Sequence, residues 1–236
     1  MKQPIQVWLP LVASSALAVN ICKGTPVFYD TFSQAPGTPI IGSTPDIGSG
    51  WTGNGGAGPV AISAGNSLDT EGDARTLFAA LNATLGAGEE ITLTYDTLFL
   101  NNFNAGGYAG VSLYTGGSSG TEQIYTGDVY NQAKWGVDGA GVGGAQPSAV
   151  PWGMTSVTLN YFYDTGAWTM TTTSGVDLSG MGTPDLAIDE LRVANGLGGD
   201  INVDNLLVDI STVPEPTSLA LLGIGGLGFA LYRRRR

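Results

Sequence analysis

The chain contains no histidine and a single cysteine, Cys22, among 236 residues. Without histidine there is no imidazole for a serine–histidine–carboxylate triad, and none for the usual zinc sites. One cysteine permits no internal disulfide, so the fold must be held by a packed core. Basic residues are almost as scarce. Between residues 24 and 213 only Arg75, Lys134 and Arg192 are basic, against nineteen acids, a charge of about −16. Such a surface repels phosphate backbones and excludes nucleic acid as a partner. It suits an extracellular protein, or one that takes up cations.

What is abundant is glycine, 37 residues, with no collagen period. That composition predicts many tight turns. The stretches between the turns read as strands: 27–32, 59–63, 75–81, 90–100, 107–115, 122–130, 155–164, 166–173, 186–194 and 199–211. Several alternate with period two, as in Ile91, Leu93 and Tyr95, or Val157, Leu159 and Tyr161. No helical period intervenes. The expectation is an all-β protein, an antiparallel β-sandwich over residues 24–211.

The two ends differ from this body. Residues 1–23 read as a signal peptide: Lys2, an apolar stretch, then Ala16-Leu17-Ala18 as a small-x-small cleavage pattern. Ile21 before Cys22 does not fit a lipoprotein signal. Residues 212–236 carry Pro214-Glu215-Pro216, an uncharged run over 218–232, and Arg233, Arg234, Arg235 and Arg236. Fifteen residues of helix reach about 22 Å. That is short of a hydrocarbon core of about 30 Å, a gap that snorkelling arginine stems help to fill. The expectation is a short transmembrane helix with the arginine cluster as its cytoplasmic stop. The two prolines keep the preceding segment extended and accessible to a processing enzyme.

In that order, Pro-Glu-Pro, span and basic end resemble a PEP-CTERM sorting signal. The resemblance implies export and recognition by an exosortase, with transient residence in the inner membrane. It further implies removal of the span, and delivery to the cell surface or an exopolysaccharide matrix. The body carries a second resemblance. "FYDTFS" near its start, "GSTPDIGSGWTG", and a closing "IDELRVANGLGGDINVDNLLV" are similar to concanavalin/laminin-G-like jelly-roll domains of secreted bacterial proteins. That likeness implies extracellular binding modules, often for carbohydrate and often with calcium. It also implies that the first and last strands are neighbours.

No catalytic constellation stands out. The glycines at 139, 141 and 144 spell a dinucleotide pattern, but Pro147 and Pro151 follow where a helix would be required, so the stretch reads as a loop. The adjacent pairs Asp189-Glu190 and Glu89-Glu90 point to opposite strand faces and cannot jointly flank one glycosidic bond. The body is therefore expected not to be an enzyme. Calcium has better candidates. Asp200, Asn202 and Asp204 share strand parity, and the jelly-roll topology would bring Asp30 across to them. Residues 69–73, "DTEGD", read as a solvated turn. Trp51, Trp135 and Trp152 lie beside glycines in loop-like contexts, where indoles either stack on sugars or plug the end of a sandwich. Trp168 reads as core. The function expected is a carbohydrate-binding or adhesive module at the cell surface. The competing readings are a structural matrix protein without a specific ligand and, further off, a glycoside hydrolase.

Overall fold

A computed structural model describes residues 24–54, 60–70, 75–98, 107–129, 132–196 and 198–213. The signal segment, the Pro-Glu-Pro motif at Pro214, Glu215 and Pro216, the expected transmembrane helix, and Arg233 to Arg236 all lie outside the described residues. Within them, no helix is long and apolar enough to cross a membrane.

Fifteen strands follow in chain order. They are β1 (Thr25–Asp30), β2 (Thr52–Asn54), β3 (Ala61–Ile62), β4 (Leu68–Asp69), β5 (Arg75–Ala80), β6 (Glu89–Thr97), β7 (Tyr108–Thr115) and β8 (Thr121–Asp128). The rest are β9 (Lys134–Asp138), β10 (Gln146–Pro151), β11 (Thr155–Phe162), β12 (Ala167–Thr172), β13 (Asp177–Met181), β14 (Glu190–Gly196) and β15 (Asn202–Thr212). The only helical pieces among the described residues are 3-10 turns at Gly117–Ser119 and Ala140–Val142. All pairings are antiparallel. One sheet runs β13-β12-β11-β6-β15-β4-β3, with β1 on the same edge of β15 as β4; the other runs β10-β9-β8-β7-β14-β5-β2.

The two sheets bury one continuous core. The alternation read from the sequence explains which residues enter it. Ile91, Leu93 and Tyr95 of β6, and Val157, Leu159 and Tyr161 of β11, are all essentially buried, as are Val111 and Leu113 of β7 and Leu191 and Val193 of β14. The first and last strands do pair, with Thr25 opposite Ile210 and Asp30 opposite Leu206. Val213 donates its N–H to the Gly88 carbonyl at 2.8 Å. Both terminal segments therefore join the body on the eight-stranded sheet.

Five strands escaped the sequence reading: the short β2 and β4, and β9, β10 and β13. Residues 134–151, read as loop, form β9 and β10. Pro147 and Pro151 are accommodated because β10 is the edge strand of its sheet, where a missing N–H faces no partner. Trp135 accordingly lies in a strand, fully buried, and stacks on Trp152 at 4.0 Å between ring centroids. The edge strand β13 was missed as well. Its Gly180 leaves room for the Trp168 indole, which a Cβ would meet at 2.7 Å.

Candidate functional site

The four residues expected to hold calcium occupy separate surroundings. Asp30 is fully buried and already satisfied: Oδ2 accepts the Trp51 Nε1 proton at 2.7 Å, and Oδ1 accepts the Phe32 N–H at 2.8 Å. Asp200 is buried ahead of β15, and its Oδ1 accepts the Thr70 hydroxyl. Asn202 donates to Asp69 Oδ2 at 3.3 Å. Asp204 faces Asp96 across β6 and β15, and Asn205 donates its amide to Asp96 Oδ2 at 2.9 Å. Asp200 lies ahead of β15, so the strand parity that the sequence suggests does not reach it, and a register break follows Asp204, with Asn205 at φ 49°. Among the described residues, no group of three or more histidine, cysteine, aspartate or glutamate side chains is placed to hold an ion. Trp51, fully buried against Phe28 and Phe32, is core and offers no face to a sugar.

A candidate site lies instead on the outward face of the seven-stranded sheet. Strand parity sends Leu191 and Val193 inward and Glu190, Arg192 and Ala194 outward. On β7, Val111 and Leu113 go inward, and Tyr108, Gly110, Ser112 and Tyr114 go outward. Register then aligns outward residues across the sheet. Phe78, Arg192, Ser112, Tyr125 and Asp138 form one row, and Thr76, Ala194, Gly110, Gly127 and Gly136 the next. The second row is nearly devoid of side chains. Into that recess lies the Tyr125 ring, which a Cβ at Gly110 or Gly127 would meet at 2.6 Å and 2.7 Å. The Tyr125 hydroxyl donates to the Ala109 carbonyl at 2.6 Å, which fixes the ring. Tyr108 covers Gly196 in the same way and remains 40% exposed.

The polar part is built around Arg192. Its guanidinium stands over the Tyr114 ring at 3.7 Å and the Phe78 ring at 5.4 Å. Nε donates to Glu190 Oε1 at 2.7 Å. Next to it, Glu122 Oε2 accepts the Ser112 hydroxyl at 2.8 Å and the Tyr114 hydroxyl at 3.1 Å. Glu122 reaches this face through a bulge in β8 opposite Leu113 and Tyr114. Burial, followed by the Glu122 charge, pushes the Tyr114 phenol up to about 12, so it stays a hydrogen-bond donor at neutral pH. These groups enclose a cleft of about 330 Å³ lined by tyrosines, Glu122, Asp128, Asp138 and Arg192. The sequence reading missed it because it sought adjacent carboxylates and loop tryptophans. The available signal was aromatic residues at the solvent parity of strands, alternating with glycine, as in "YAGVSLY" and "YTGD".

Burial also raises the carboxyls of Asp30, Glu90, Asp128 and Asp204, the last further lifted by Asp96. A carboxyl raised in the folded state binds its proton more tightly there than in the unfolded chain. Its stabilising contribution is complete below the ordinary carboxylate range, about pH 4, and is lost as pH rises through the folded values. The melting temperature is therefore expected to climb as pH is lowered from neutrality toward the ordinary carboxylate range. Asp96→Asn should flatten that slope by removing the charge facing Asp204. A melting temperature that falls over this interval would contradict the assignment.

Comparison with known proteins agrees with both halves of the chain. Residues 212–236 match the PEP-CTERM protein-sorting motif. The motif marks the chain as an exported protein sorted by an exosortase. No curated protein sequence matches the chain. In fold, the chain is similar to a Trypanosoma rangeli sialidase solved with sialic acid, at 13% identity and TM-score 0.53, over 78% of this chain and 30% of that one. It is similar to the globular domain of T. cruzi calreticulin, at 13% identity and TM-score 0.50, over 87% and 95%. An endo-1,3-β-glucanase from Streptomyces sioyaensis aligns at 15% identity and TM-score 0.51, over 80% and 96%. The chain thus spans about a third of the sialidase and nearly the whole of the other two. At these identities the likeness establishes a concanavalin-like β-sandwich.

Proposed function

We propose that the body is a glycan-binding module of the cell surface or exopolysaccharide matrix, with its ligand on the outward face of the seven-stranded sheet. The observation that carries this reading is the aromatic cleft of Tyr108 and Tyr125, set over glycines, with Tyr114 under Arg192, bordered by Glu122 and Asp138. Phenol rings lie against the apolar faces of pyranoses, and the bordering charges meet hydroxyls, which is the mixture a saccharide needs. The sialidase and the glucanase among the similar structures set the ligand class to test first. The precursor is held by its C-terminal span, and that tether joins the sheet that does not carry the cleft.

Binding without catalysis is the form of this reading. Glycoside hydrolysis requires an acid and a second carboxylate free to meet the bond from two sides. Among the lining acids, Glu122 is anchored through Oε2 by two hydroxyls and Asp128 is buried with Oδ1 held by two backbone N–H groups, an arrangement that supports binding.

The test is titration of the protein with neutral oligosaccharides and with the host's own polymer, monitored by calorimetry. Saturable binding is expected, weakened about tenfold by Tyr108→Ala, in line with truncating an exposed aromatic anchor. Circular dichroism should show the variant folded. Absence of saturable binding to any glycan would favour a purely structural matrix protein, and release of new reducing ends would favour a hydrolase.

A further inference from the structure

We infer that the exosortase docks on the folded body as well as on the linear motif, and that its contact surface is the end of the eight-stranded sheet where the chain leaves, together with the groove beside it. The matched motif begins at residue 212, inside β15. Thr212 is paired with Glu89, and Val213 donates its N–H to the Gly88 carbonyl at 2.8 Å. Pro214 has no N–H and cannot extend that ladder. The recognition element therefore starts where the sheet stops, with no linker between them.

Length brings enzyme and body into contact. Three residues, Pro214-Glu215-Pro216, cover at most about 11 Å when fully extended. A single helix with its side chains is about 10 Å thick. An enzyme wall that closes over the motif from the body's side fills that distance and meets the sheet end. The surface it meets is preorganised. Gly86 donates its N–H to Glu89 Oε2 at 2.7 Å, Gly88 donates to Asp164 Oδ2 at 2.9 Å, and the Glu89 carbonyl accepts the Tyr163 N–H at 3.0 Å. Beside this turn opens a groove of about 400 Å³, lined by Thr25, Val27, Ala83, Glu89, Ile210 and Thr212, a concavity that a partner's side chains can enter. Charge sets the chemistry of the partner. Arg75, Lys134 and Arg192, the only bases between residues 24 and 213, all lie on strands of the other sheet. The exit end carries Glu89, Glu90 and Asp164, so it fits a basic enzyme surface and is repelled by an anionic lipid surface.

The experiment follows removal of the C-terminal segment from the exported full chain, by pulse-chase in cells that hold the enzyme. Thr25→Lys and Ala83→Arg place basic charge at exposed positions of the groove, and each should slow processing about tenfold through like-charge repulsion. Asp177→Lys, an exposed change elsewhere on the same sheet, should be processed at the wild-type rate. Circular dichroism should show all three folded. An eight-residue Gly-Ser insertion between Val213 and Pro214 keeps the motif intact and parts it from the body by about 15 Å. It should slow processing and abolish the effect of Ala83→Arg. Wild-type rates in both groove variants, or equal slowing by Asp177→Lys, overturn the inference. So does processing that is unchanged or faster after the insertion, which would make the body a bystander or an obstacle. Hydrogen-exchange protection of residues 20–23 in the purified exported protein overturns it as well, by assigning the groove to the chain's own N-terminal segment.

Discussion

Asp30→Ala is expected to lower the stability of the body by about 3 kcal/mol, because it leaves two buried donors without an acceptor. For a body of this size that corresponds to a fall in melting temperature of about 6–12 °C. The carboxylate sits at the end of β1 and joins three pieces of chain. Oδ1 receives the N–H of Phe32, a residue held at φ 48°, and so fixes the turn that leaves the strand. Oδ2 receives the indole proton of Trp51, whose ring packs edge-on against Phe28 at 5.3 Å and beside Phe32 at 6.2 Å. Removing the carboxylate therefore strands a buried indole N–H and a buried backbone N–H together. Asp30→Asn should lie between wild type and alanine, since one amide oxygen serves one donor while the NH₂ group opposes the other. Adding or chelating calcium should leave the Asp30→Ala difference unchanged. A calcium-dependent difference would restore Asp30 to the metal site that the sequence suggested.

The same residue shows where sequence reasoning stops. Its position was legible: the opening and closing strands were expected to be neighbours, and they are. Its chemistry was not, because an aspartate at a strand end reads alike whether it faces an ion or an indole 21 positions away. The alternating strands were legible because burial on one face imposes period two, as at Ile91, Leu93 and Tyr95. Trp135 misled because its glycine neighbour looks like a loop, yet Gly136 marks a place where backbones approach and the indole fills the core, whereas Trp51 lies outside any strand and is buried, one of the two readings its sequence context allowed. The bulge that turns Glu122 toward Ser112 and Tyr114 leaves no trace in composition. The sorting tail was the most legible part, since its recognition depends on a linear order of proline, apolar span and arginine and on no tertiary contact.

Gly110→Ala is expected to cost about 3 kcal/mol and to remove ligand binding, by overpacking a place with no slack. Gly110 is not at positive φ, so the requirement is space and not backbone conformation. A methyl there would run into the Thr126 carbonyl oxygen of the neighbouring strand and into the Tyr125 ring at 2.6 Å. The first obstacle is backbone in the middle of a sheet and cannot swing aside. The second is a ring pinned by its hydroxyl to Ala109 and, at 3.1 Å, to the Asp128 carbonyl. Relief would have to come from separating β7 from β8 or expelling Tyr125 from its recess. Either one dismantles the platform on which the proposed ligand lies. Gly153→Ala is the matched control, with no atom within 4 Å of the added methyl and no positive φ, and should melt within about 0.5 kcal/mol of wild type. Where Gly110→Ala is too unstable to purify, the milder Tyr125→Phe serves. It keeps the ring but drops the two hydrogen bonds that hold it, and should weaken glycan binding while unfolding at a modestly lower temperature. Wild-type affinity in a folded Gly110→Ala protein would show that the recessed tyrosine floor is not where the ligand binds.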